Sequence, residues 1–152
     1  MMIIYVDGDA CPVKGEIVEV SKKYDLQVIM VLSICHLTKS DGFSEYVVVD
    51  HRDQSVDMEI INRVKKGDVV ITDDYGLASI VLMKEALCMS SRGMQYTAEN
   101  IDLLLYKRHM NQKIMRAGGK VKGPAKRSNS EDRQFLINYE KMLKQSLYNS
   151  LL

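Results

Sequence analysis

Two pairs of carboxylates stand where chemistry could occur. Asp7 and Asp9 flank Gly8 after the apolar run Met2–Val6, and Asp73 and Asp74 follow the apolar run Val69–Thr72. Neighbouring carboxylates repel unless a proton or a cation lies between them. Hard divalent cations want oxygen ligands, and Mg²⁺ typically takes one or two carboxylates while keeping waters for a substrate phosphate. Two such ions about 3.5–4 Å apart can activate water and stabilise the leaving oxygen of a phosphodiester. Asp7, Asp9 and Asp74 are therefore candidate ligands for Mg²⁺ or Mn²⁺, with Asp57 a fourth acid and Glu59 its alternative. Aspartates also end strands as turn formers and helix caps, and one member of Asp73/Asp74 is expected to cap the helix that follows.

Other reactive residue types are less persuasive. Cys11 stands at a helix start, where a thiol can be activated, but no histidine is placed beside it and it reads as a small packing residue. His36 ends a strand, His51 lies in a charged loop and His109 on a basic helix; none has a ligand-spaced partner, so each reads as a surface or hydrogen-bonded residue. The ten methionines are scattered over core positions and read as packing.

The elements that must position the acids follow from hydrophobic periodicity. Strands are expected at Met2–Val6, Gln27–Ile34, Tyr46–Val49, Val69–Thr72 and Ala86–Met89. Helices are expected at Pro12–Tyr24, Val56–Lys65, Gly76–Glu85, Ala98–Met115 and Ser130–Leu147. Thr97 is expected to cap the fourth helix, with Ile101, Leu104, Leu105 and Ile114 as its buried stripe, and Ala117-Gly118-Gly119 to end it. Alternating strands and helices imply an α/β domain with a parallel four- to five-stranded sheet, helices on both faces and a helical C-terminus. Ligands in such sheets gather beyond the carboxyl ends of the strands, where these acids lie. Asp7/Asp9 meet Asp73/Asp74 only if the first and fourth strands are neighbours, which periodicity leaves open.

At 152 residues, 46% hydrophobic and 27% charged, the chain suits a single domain over 1–152. No apolar stretch reaches the roughly 20 residues of a membrane span. With no signal-like start and three unpaired-looking cysteines, a reducing cytoplasm is the expected setting. The net charge of +1 hides an asymmetry: residues 1–106 hold ten Lys/Arg against seventeen Asp/Glu, while residues 107–127 hold eight Lys/Arg and no acid. The basic helix end and loop (107–129) precede the last helix (130–148). A basic segment behind an acidic front suits a polyanion held beside cations, although a solvated helix face explains a charge run equally well.

The stretches YVDGDACPVK, GDVVITDDYGLAS, SRGMQYTAENI and EDRQF, in one order across nearly the whole chain, resemble the functionally uncharacterised YaiI/YqxD family, which is grouped with PIN-like domains. The resemblance implies a PIN-like fold and, by analogy with the metal-dependent nucleases of that group, cleavage of RNA or another phosphodiester. It matches Asp7, Asp9, Asp57 and Asp74 to the family's acids, with Gly8 in place of the usual alanine and Asp73 a variable neighbour. It also matches Arg92-Gly93 to a turn and Asp132-Arg133 to the last helix. In the glycine-rich stretch Gly118–Pro124 one glycine has become Lys122, and the phenylalanine expected after the proline is missing. Lys14, Arg92 and Arg133, with Lys120 and Lys122 of the basic loop, are the candidates for phosphate contact. Two other readings stay open: a haloacid-dehalogenase-like phosphatase using Asp7 and Asp9 with Lys65 or Lys66, and a non-catalytic nucleic-acid-binding module.

Overall fold

The computed structural model describes residues 1–50, 55–123 and 125–152; His51 and Pro124 lie outside the described residues. Strands β1 (Ile3–Asp7), β2 (Gln27–Ser33), β3 (Glu45–Val49), β4 (Val69–Ile71) and β5 (Leu87–Met89) form one sheet in the order β3-β2-β1-β4-β5, with all four pairings parallel. Between and after them run α1 (Lys14–Lys23), α2 (Val56–Arg63), α3 (Tyr75–Met83), α4 (Ala98–Arg116) and α5 (Asn129–Ser150). The expected five strands and five helices are all present, shifted by a few residues at most at their ends.

Both faces of the sheet are covered, which is why its strands read as continuous apolar runs. Ile4 and Val6 of β1 and Val28, Met30 and Leu32 of β2 point towards α1 and α5, where Phe135, Tyr139 and Leu143 complete one core. The alternate residues Tyr5, Ile29, Val31 and Val70 face a second core built with α2, α3 and α4. The buried hydroxyls of Ser21 and Tyr139, 2.9 Å apart, pin α5 to α1 inside the first core.

The strand order decides where a site can form. The chain builds outward from β1 to β3, then returns to the other side of β1 with β4, so the crevice between the carboxyl ends of β1 and β4 is a switch point. In the β1–β4 ladder Val6 lies beside Ile71, and the next residues in line are Asp7 and Thr72.

Helix ends explain several of the polar motifs. α4 begins with a capping box between Thr97 and Asn100. It ends in a Schellman motif: Gly118, at φ +85°, donates to Met115 O at 3.1 Å and Gly119 to Ile114 O at 2.9 Å. The expected buried stripe of α4 is corrected, because only Ile101 is fully buried, Leu104 and Leu105 are half-buried and Ile114 is 43% exposed. Ile114 stands 13 residues from Ile101, about 140° round the helix, so the expected stripe joined residues of two opposite faces.

Asp68 is buried at the opposite edge of the sheet, where its carboxylate accepts from Ile3 N (3.0 Å) and Lys65 N (2.9 Å). It ties the start of β1 to the turn before β4 and takes no part in the carboxyl-end crevice. Asp68→Ala leaves two backbone donors without their partner and is expected to cost about 3 kcal/mol, read as a lower urea midpoint with an unchanged m-value.

Candidate functional site

β1 ends at Asp7, and the chain then leaves the sheet without a side chain at Gly8. A Cβ there would lie 2.7 Å from Leu32 Cδ2 and 2.9 Å from Val31 O, so glycine lets this loop press against β2. Ala10 follows at φ +59°, a left-handed conformation that costs a non-glycine residue energy and turns the chain sharply after Asp9.

Asp7, Asp9, Asp73 and Asp74 line one cavity of about 130 Å³ at the carboxyl ends of β1 and β4, together with Ala10, Cys11, Thr72 and Ser91. Thr72 Oγ1 donates to Asp7 Oδ2 at 2.8 Å. Asp9 Oδ1 accepts from Ser33 N at 2.9 Å and lies 3.5 Å from His36 Nδ1. Asp74 is the cap of α3, its Oδ1 accepting from Gly76 N (2.8 Å) and Leu77 N (3.2 Å). Asp73 is fully engaged by Ser91, through N at 2.8 Å and Oγ at 2.6 Å. The expected division of the pair thus takes a particular form: the candidate ligand Asp74 is also the cap, and Asp73 braces the turn after β5. Asp57, in the first turn of α2, does not line the cavity.

The electrostatics centre on Asp7. Burial raises its pKa to about 6, against a hydrogen bond from Thr72 that lowers it, and the charges of Asp74, Asp9 and Asp57 raise it further. Asp57 therefore acts on the site through its field. Cys11, beside Asp7, has its thiol pushed up to about 11 by burial, which leaves it protonated and suits packing better than nucleophilic attack.

Asp7, Asp9 and Asp74 each commit one oxygen to a protein donor, and the second oxygen of each receives no hydrogen bond among the described residues. No group of three or more His, Cys, Asp or Glu among the described residues gathers closely enough to hold a metal by itself. Among the described residues the free carboxylate oxygens of Asp7, Asp9 and Asp74 suit a hydrated Mg²⁺ or Mn²⁺ that keeps most of its waters.

A larger cleft of about 510 Å³ adjoins the acids and shares Ala10, Asp73 and Ser91 with their cavity. Tyr75, Met94, Leu104, Arg92 and Arg127 form its other walls. Arg92, a candidate for phosphate contact, is ion-paired with Glu131 and donates to Ala125 O at 2.9 Å. Arg127 bonds Asp132 Oδ1 and Ser91 O, each at 2.5 Å. Both arginines strap the basic loop and the start of α5 to the 90–93 turn. Gly93, at φ +85°, lets that turn approach Phe135 closely, and Asn138 Nδ2 donates to Gly93 O at 2.9 Å.

Lys14 opens α1 near Cys11, and its charge offsets a small part of the rise that burial imposes on the thiol's pKa. Arg133, Lys120 and Lys122 are exposed and form no ion pair among the described residues. Sequence reasoning overlooked His36 beside Asp9 and the bridging role of Arg127. The position of His36 at the end of a strand was the one signal for it, since the carboxyl ends of neighbouring parallel strands share a rim. Lys65 and Lys66 lie before β4, at the amino ends of the strands, and Lys66 faces Glu85 at 3.7 Å. The phosphatase reading therefore lacks its lysine.

Known proteins similar to this chain add a family. The family described as "Uncharacterized BCR, YaiI/YqxD family" matches residues 5–145. A UPF0178 protein of Alkaliphilus metalliredigens is 44% identical over 149 residues, covering 98% of this chain and 96% of that protein. A UPF0178 protein of Ruminiclostridium cellulolyticum is 46% identical over 134 residues, covering 88% and 87%. Among solved structures, a mutant of Rae1 (YacP) from Bacillus subtilis is similar over 99% of both chains, at 15% identity and a TM-score of 0.48. With its profile matched over almost its whole length and relatives above 40% identity, the chain belongs to the YaiI/YqxD family.

Proposed function

We infer that this protein is a divalent-cation-dependent phosphodiesterase acting on RNA, with Asp7 at the centre of its site. The observation that carries this reading is the half-buried Asp7 carboxylate lining a cavity with Asp9, Asp73 and Asp74, its pKa raised to about 6 by desolvation and by Asp74, Asp9 and Asp57. A cavity that gathers negative charge at a switch point invites a cation, and perturbed carboxylates in a cleft are the usual mark of a working site. Asp7, with Asp9 or Asp74, would hold Mg²⁺ or Mn²⁺; the ion would supply an activated water and charge neutralisation at a phosphate. Thr72 orients Asp7, Ser33 orients Asp9, and His36 stands where it could exchange a proton beside Asp9. The exposed Lys120, Lys122 and Arg133 are available to a nucleic-acid backbone.

The absence of a three-ligand cluster among the described residues favours one alternative, a nucleic-acid-binding module without turnover. A single experiment separates the two. Cleavage and binding of a labelled single-stranded RNA are measured with Mg²⁺ or Mn²⁺ for the wild type, Asp7→Asn and Asp74→Asn. The nuclease reading expects cleavage that falls at least about 100-fold in Asp7→Asn while RNA affinity is kept. RNA binding in all three proteins with no cleavage under either cation supports the binding module and sinks the nuclease.

A further inference from the structure

α4 carries a second surface that the candidate site does not use. Its 19 residues contain a single fully buried side chain, Ile101. On the face turned away from Ile101, Leu103, Tyr106, Met110 and Ile114 recur at intervals of three and four residues, which places them in one stripe along three turns. They are 68, 62, 37 and 43% exposed. A continuous apolar stripe of this kind on a soluble protein marks an interaction surface.

We propose that this stripe is the interface of a homodimer in which α4 pairs antiparallel with α4 of a second copy. Charge selects this occupant. The first half of α4 carries acids only, among them Asp102, and the second half bases only, among them Lys113. Asp102 and Lys113 are 11 residues apart, so at about 100° per residue they lie on the same flank of the stripe. A parallel pairing would set acid on acid and base on base. An antiparallel pairing about a two-fold axis near residue 108 sets Leu103 against Ile114, Tyr106 against Met110, and Asp102 against Lys113, each contact occurring twice. Flanking charges that agree with the apolar register are what fix orientation in paired helices. A nucleic acid would want the bases at the centre of the face, whereas here the centre is apolar and the charges flank it. This inference is independent of the activity proposed above.

Sedimentation equilibrium of the full chain over a concentration series tests it. The wild type is expected to reach a mass near twice 17.3 kDa, and Tyr106→Glu/Met110→Glu to remain a monomer with unchanged circular dichroism. Asp102→Lys alone is expected to weaken the dimer about tenfold through like charges, and Asp102→Lys/Lys113→Asp to restore it. A monomeric wild type, a dimer indifferent to Tyr106→Glu/Met110→Glu, or a charge swap that fails to restore pairing overturns the proposal. A monomer that loses RNA affinity in Tyr106→Glu/Met110→Glu also overturns it and reassigns the face to nucleic acid.

Discussion

Asp7→Asn is expected to make the cation-free protein more stable at pH 8, by about 2 kcal/mol, while abolishing its response to Mn²⁺. The sign follows from the carboxylate's surroundings. Its folded pKa, about 6, lies above the ordinary 3.8 because burial and three neighbouring acids disfavour the charge. The folded state therefore binds the proton more tightly than the unfolded state. The penalty for ionising Asp7 is absent below pH 4, grows between pH 4 and 6, and is complete above 6. Two pH units correspond to about 3 kcal/mol, and part of that returns as the cost of burying the asparagine amide. The asparagine oxygen still accepts from Thr72, so geometry is kept. Melting curves in chelator should show the mutant's advantage shrinking as pH falls from 7 to 4. With saturating Mn²⁺ the order should reverse, since binding to the folded state alone stabilises it. A mutant no more stable than wild type at pH 8 would remove the electrostatic basis of the site.

Phe135→Ala is expected to be the most damaging single substitution outside the crevice, costing about 3–5 kcal/mol. The ring is fully buried and stacks on Tyr139 with centroids 5.4 Å apart and planes at 14°. Its removal leaves a cavity between α5 and the sheet that neighbouring Met142 and Leu143 can only partly refill. In a chain of this size the loss should lower the melting temperature by roughly 10 °C. The effect should also reach the site, because the backbone of Phe135 supports Gly93 and the adjoining Ser91 holds Asp73. Hydrogen exchange at Ser91 N should therefore accelerate in Phe135→Ala more than exchange in β2 and β3. Equal acceleration everywhere would mean that the turn gains nothing local from α5.

The opposite signs expected for Asp7→Asn and Asp68→Ala show what was legible in the sequence. Both acids stand at strand ends in motifs of the same kind, GD or DGD, and the sequence places each within a residue or two of its strand. It identifies the carboxyl end as the side where chemistry gathers, so Asp7, Asp9 and Asp74 could be singled out and Asp68 passed over. The neighbouring of β1 and β4, on which the site depends, was not legible, because strand order follows from packing of the whole sheet. Nor were the partners of the charged groups. Asp9 meets His36 across 27 residues, Asp73 meets Ser91 across 18, and Arg127 meets Ser91 across 36. Arg92 read as free for phosphate because its partner, Glu131, is brought to it only when α5 docks. Ile114 is a different case: its spacing from Ile101 already turns it to the opposite face of α4, where it is 43% exposed.

The docking of α5 also bears on how the chain acquires its shape during synthesis. The side of the sheet made by Ile4, Val6, Met30 and Leu32 is closed by Phe135, Tyr139 and Leu143, more than 100 residues later. While a ribosome is still translating the basic loop, that side of the nascent sheet is covered by α1 alone. Folding from the N-terminus can assemble the strands in order, but it cannot seal them, and the exposed flank is a site for chaperones or for misassociation until α5 emerges. The two arginine straps are made at the same late moment, so the turn that holds Asp73 is secured only when synthesis has passed α5.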